Sequence, residues 1–140
     1  MEITANAVQT VPVSQNVLFT NTSIGGNCSI IHRPDSGLIK LRGISSTQCR
    51  ARFRAAFSGN IAVPTGGTAG AISLAITLDG EAFPATTMIV TPAAVENYFN
   101  VSADLFIEVP TGCCSTVGVT NTSTQPIAVQ HANLIVERVA

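Results

Sequence analysis

The sequence predicts an all-β sandwich of about ten strands in a single domain. Three observations predict it. The dominant hydrophobic period is two, the signature of half-buried strands. Turn-forming residues recur at short intervals, as in Gly25-Gly26-Asn27, Pro34-Asp35-Ser36-Gly37, Asp79-Gly80 and Pro110-Thr111-Gly112. Ala, Val, Ile, Thr, Ser and Asn dominate a chain with no Trp and one Tyr, a strand-favouring composition. At 140 residues and 14.5 kDa, one core is expected to bury roughly two-thirds of the unfolded surface.

The alternation places the elements in order. Strands are expected over 7–13, 15–20, 28–33, 37–42, 48–57, 60–63, 70–79, 82–91, 97–109, 113–121 and 125–138. In 48–57, Cys49, Ala51, Phe53, Ala55 and Phe57 point one way and Arg50, Arg52 and Arg54 the other. Ile72, Leu74, Ile76 and Leu78 alternate with Ser73, Ala75 and Thr77. Asp79-Gly80 then closes a hairpin, because this pair tolerates positive φ at the tip. Val101, Ala103, Leu105, Ile107 and Val109 form the inward set of the next long strand. In the last strand Ile127, Val129 and His131 share a face, followed by Leu134, Val136 and Arg138. Pro92–Asn97 has room for one helical turn. Residues 1–7 are a candidate N-terminal arm. The chain shows no linker, no low-complexity tract and no repeat.

Charge limits the function. Seven Lys/Arg against eight Asp/Glu give a net charge of −1, and charged residues are only 11% of the chain. A binder driven by phosphate neutralisation is excluded, and so is an acidic tail protein. Hydrophobic content of 46% excludes disorder. The longest weakly polar stretch, Ala69 to Leu78, spans about half of the ~20 residues that a membrane helix needs. The start has neither a basic region nor an apolar one, so no secretory signal is expected there. Synthesis in a cytoplasm is expected, with no nucleic-acid or membrane partner.

No catalytic constellation is legible. Cys28, Cys49, Cys113 and Cys114 are expected to be reduced thiols, buried as small apolar groups. Their spacing matches no zinc motif, and no metal or other cofactor is expected. His32 and His131 stand in no nucleophile motif, so packing or interface hydrogen bonding is their expected role. Asp79 and Glu81 flank a hairpin tip. Thr65–Gly70 lacks the lysine and the following helix of a phosphate loop. Sequons at Asn21, Asn27, Asn100 and Asn121 read as accidents of a Ser/Thr-rich chain.

The unusual feature is the stripe Arg50, Arg52 and Arg54. Like charges about 7 Å apart on one pleat face repel and need compensation. Acids on a neighbouring strand, Asp104 and Glu108, are one source. A ladder between subunits, with acids of the next chain or an anion on a threefold axis, is the other.

Several segments, taken in order, resemble a known family. Gly37–Gly43 (GLIKLRG), Cys49–Phe57 (CRARFRAAF) and Ile72–Glu81 (ISLAITLDGE) look like the middle of a C1q/TNF-like jelly roll, and Ala128–Val139 resembles its last strand. The segments NVLFTNT, GNCSIIHR, SGLIKLRG and NTSTQPIAVQHANLIVERV are similar to small phage and prophage proteins of Firmicutes and to C-terminal domains of bacterial collagen-like spore-surface proteins. The resemblance implies a homotrimer. The scarcity of surface charge points the same way, since an interface would cover the small and apolar residues. The interface candidates are Arg50, Arg52, Arg54, Tyr98, Phe99, Phe106 and His131; Phe106 falls out of phase with its strand's inward set. The expected function is a non-enzymatic structural trimer on a virion or particle surface, such as a head decoration, head fibre or tail-associated module. Its partners would be itself and a capsid or other particle protein. The alternative is recognition of a carbohydrate or cell-surface ligand. A metal oxygenase on a jelly roll would need more histidines than the two present.

Overall fold

A computed structural model describes residues 1–26, 28–44, 49–112 and 114–140. Twelve strands fall within the described residues. They are β1 (Glu2–Ala5), β2 (Gln9–Val11), β3 (Asn21–Ile24), β4 (Ile30–His32), β5 (Ile39–Arg42), β6 (Arg50–Ala62), β7 (Ile72–Leu78), β8 (Glu81–Ala82), β9 (Met88–Val90), β10 (Phe99–Pro110), β11 (Cys114–Asn121) and β12 (Ile127–Arg138). They build two antiparallel sheets. The first runs β10-β6-β12-β1-β3, with β2 also paired to β12. The second runs β4-β5-β11-β7-β8, with β9 also paired to β7.

The core lies between the sheets, where the inward residues of both meet. Phe53 and Phe57 from β6, Leu134 and Val136 from β12, Leu74 and Ile76 from β7, and Phe19 are all buried. β6 and β12 carry most of this because each is long and has a neighbour on either side. The expected 48–57 and 60–63 form one thirteen-residue strand. Gly59-Asn60 does not turn, because β10 and β12 hydrogen-bond past it on both sides.

Other differences have local causes. The expected strand over 15–20 is reduced to bridges at Asn16↔Thr120 and Phe19↔Ser36. The carboxamide of Gln9 satisfies Leu18 instead: its Nε2 donates to the Leu18 carbonyl at 2.8 Å, and its Oε1 accepts the Leu18 N–H at 3.0 Å. Residues 82–91 break into β8, a 3₁₀ turn at Pro84–Thr86 and β9, since Pro84 cannot donate to a ladder. Pro92–Asn97 forms bends and a turn rather than a helical turn. Residues 2–5, within the candidate arm, form β1, paired to β12 on one side and β3 on the other. The hairpin at Asp79-Gly80 has the expected geometry. Leu78 pairs with Glu81, leaving a two-residue loop with φ of 53° and 87°.

β12 also departs from its expected phase. Its register to β6 shifts between Gln130 and Asn133, and His131 sits there with φ of 53°. This is a β-bulge, in which one extra residue flips the alternation. Val129 faces the core before it, and Ala132, Leu134 and Val136 face the core after it. His131 is left exposed and does not share the buried face of Ile127 and Val129.

Candidate functional site

The outer face of the first sheet holds the arginine stripe. β6 lies between β10 and β12, so alternate residues of the three strands form rows across the face. Phe106, Arg54 and Glu137 make one row; Asp104, Ala56 and Ile135 the next; Ser102, Ser58 and Asn133 the third. Asn100, Asn60 and Gln130 make the fourth. One end of the face is therefore charged and the other is carboxamide. A shallow depression of about 400 Å³ lies between them, lined by residues that include Ala56, Ser58, Ser102 and Asn133.

The charges are paired within the chain. Arg50 Nη1 donates to Glu108 Oε2 at 2.6 Å and Arg52 Nη2 to Glu108 Oε1 at 2.9 Å. Arg54 Nη2 donates to Asp104 Oδ2 at 2.6 Å, and its Nη1 lies 3.6 Å from Glu137 Oε1. Three guanidinium groups thus meet three carboxylates, and the stripe is neutral. The neighbouring-strand source of compensation is the one found. Glu137, on the opposite flank of β6, was not visible in the local pattern of either strand. Hydrogen bonds from Arg52 and Arg50 hold the Glu108 carboxyl below its ordinary range. The bond to Glu108 raises Arg50, and the bond to Asp104 raises Arg54. All these groups are solvent-exposed, so the pairs contribute little to stability singly. Their effect is to remove net charge from the face.

The structure separates the remaining candidates. Phe106 stands beside Arg54 on the outer face and is 66% exposed. Ile135, two rungs of β12 from Asn133, adds an exposed apolar side chain that sequence reasoning missed. His131 lies on the bulge at the carboxamide end. Phe99 pairs with Ile61 at the far end of β10, in phase with the inward residues, and does not join Phe106. Tyr98 precedes β10 and is half-buried.

Residues considered for catalysis are engaged elsewhere or scattered. His32 Nε2 lies 3.0 Å from the Ser36 carbonyl and must donate to it, which leaves Nδ1 to accept from the Thr22 hydroxyl at 3.2 Å. Asp79 Oδ1 accepts the Thr116 N–H at 2.9 Å. Asn121 is buried, and its amide donates to the carbonyls of Val11 and Gln125, so its sequon is spent on structure. Cys28, Cys49 and Cys114 are exposed rather than buried, because each sits at a strand end on the rim of the sandwich. Cys113 and Asn27 lie outside the described residues. No group of three or more His, Cys, Asp or Glu among the described residues is placed to hold a metal ion. No described helix is long and apolar enough to cross a membrane.

No known sequence family and no curated protein sequence matches the chain. Among solved structures, the globular domain of the zebrafish complement 1qA protein superposes with a TM-score of 0.57 at 12% identity, covering 96% of this chain and 93% of that one. The fold is a C1q-like jelly roll. More distant from the C1q-like fold seen here are a family 35 carbohydrate-binding module from Cellvibrio japonicus (TM-score 0.43, 8% identity, 100% and 98% covered) and the sugar-binding EclA C-terminal domain (TM-score 0.40, 12% identity, 95% and 80% covered).

Proposed function

We propose that this chain is a non-enzymatic structural module that assembles as a homotrimer through the outer face of its β10-β6-β12 sheet. The particle it serves would be a phage virion, in which it would act as a head decoration, head fibre or tail-associated knob. One observation carries the assembly reading. A sheet face has its charges cancelled inside the chain and still leaves Phe106 and Ile135 exposed. A pre-neutralised face can be desolvated against a copy of itself without stranding a charge. Exposed aromatic and aliphatic anchors are what such a contact uses. The particle rests on the segment resemblance read from the sequence, and the jelly-roll fold is compatible with it.

Solution mass by light scattering or native mass spectrometry tests the assembly. Three times the chain mass is the expected result. A monomer throughout the micromolar range would overturn the trimer. The second reading, recognition of a carbohydrate, is favoured by a feature of the opposite sheet.

A further inference from the structure

The seven cationic side chains divide sharply. Arg50, Arg52 and Arg54 are ion-paired on the first sheet. Arg138 is spent on backbone carbonyls, those of Ala140 and Ile44. The other three, Arg33, Lys40 and Arg42, form no ion pair among the described residues. All three belong to the β4–β5 hairpin on the second sheet, the side of the sandwich opposite the arginine stripe.

The geometry of that hairpin gathers them. Lys40 and Arg42 alternate with the buried Ile39 and Leu41, so both point outward, about 7 Å apart along one strand. Ile31 pairs with Lys40 across β4, and Thr116 pairs with Lys40 across β11. Arg33 follows β4 directly. His32 and Ser36 tie down the turn between Arg33 and β5. A depression of about 340 Å³ results, lined by Ile31, Arg33, Ser36, Leu38, Lys40 and Thr116. That lies at the small end of ligand-site volumes. Protection of a sheet edge does not account for Lys40 and Arg42, because β5 is paired on both sides. Asp35, in the same turn, makes no ion pair with Arg33.

We propose that this depression binds a carboxylate-bearing sugar unit of an anionic glycan. A guanidinium fork and an ammonium group on the two arms of the hairpin suit a carboxylate. The hydroxyl of Thr116 lies beside them for a sugar hydroxyl, while that of Ser36 accepts the Leu38 N–H at 3.1 Å and helps fix the turn. Ile31 and Leu38, 41% and 40% exposed, offer aliphatic surface to the C–H face of a ring. The depression contains no aromatic side chain on which a nucleobase could stack, which disfavours single-stranded nucleic acid. The inference goes beyond the assembly reading and does not require it. In a trimer built on the opposite sheet, three such sites would face outward and bind a polymer with avidity.

The test is calorimetric titration of the whole chain with a defined oligogalacturonate at low salt. Its methyl ester, poly-glutamate and single-stranded DNA serve as separate arms. Saturable binding of the uronate and none of the ester is expected. R33Q and K40Q should each weaken binding about tenfold, the loss expected for one charge-assisted hydrogen bond. E96Q, in the loop after β9 where the Thr65 hydroxyl donates to its carboxylate, should leave it unchanged. The substituted side chains are exposed, so all three variants should fold. No uronate binding, equal binding of the ester, equal or tighter binding of poly-glutamate or DNA, or indifference to K40Q would each overturn the proposal. Solution mass on the same samples separates loss of this site from loss of the trimer.

Discussion

At the scale of single residues, two side chains make opposite demands on water. Asn121 is buried, and its carboxamide is fully used. Nδ2 donates to Val11 O at 3.0 Å and Gln125 O at 2.9 Å, and Oδ1 accepts the Ser123 N–H at 2.8 Å. It stitches the end of β11 to the end of β2 and to the loop before β12. N121A would leave those backbone groups unpaired inside the protein, which costs about 3 kcal/mol. Urea unfolding should show it as a lower midpoint with an unchanged slope. Glu108 is the exposed counterpart. Its carboxyl is held below the ordinary value of 4.5 by Arg52 and Arg50. A carboxyl lowered in the folded state adds stability above its unfolded value and loses it as pH falls through the folded one. E108Q should therefore be less stable than the parent at neutral pH, and the difference should close below about pH 4.5. A difference that stays constant across a pH series of unfolding midpoints would show that the ion pairs are not its source.

At the scale of elements, the bulge in β12 explains both what could be read in the sequence and what could not. Val129 and Leu134 are both core residues but have opposite parity, so one unbroken strand cannot bury both. The break in alternation was present in the sequence, and the need for a bulge at 130–132 follows from it. The same local rule located β6, β7, β10 and the Asp79-Gly80 hairpin, where inward residues alternate without interruption. It failed where pairing is not local. β1 is held between β12 and β3, over a hundred residues apart in the chain, and nothing in its own four residues shows that. The missing 15–20 strand fails similarly, because the Gln9 carboxamide replaces a strand neighbour. The arginine compensation was half legible: Asp104 and Glu108 share the polar face of one strand, whereas Glu137 joins them only once β12 is known to flank β6. His131 carries the cost of the bulge, since a non-glycine residue at φ of 53° is strained. H131V should lose about 1–2 kcal/mol, because a β-branched side chain suits that region worst. H131G should match or exceed the parent in thermal stability. If H131V were neutral, the bulge would not be a fixed feature of the strand.

At the scale of the whole molecule, the surface area decides how copies could associate. The isolated chain exposes 7025 Å², close to the roughly 6,900 Å² expected of a folded monomer of 14.5 kDa. The total is that of a compact fold, and the segment at 2–5 is built into the sheet. A trimer of this chain would then form between sheet faces, each contact burying about 800 Å² per partner. On the β10-β6-β12 face the charges are already satisfied within each chain, so association should depend on apolar fit more than on charge between chains. Two consequences can be measured together by light scattering. Raising the salt should leave the mass at three chains, because screening weakens exposed pairs inside each chain without separating chains. The double substitution F106E/I135E should give monomers, since it adds two uncompensated negative charges to a neutral face that must be desolvated. Both positions are exposed in the isolated chain, so the monomer should keep its fold by circular dichroism. A trimer that dissociates in salt would instead place ion pairs between chains, and one that tolerates F106E/I135E would place the interface on another face.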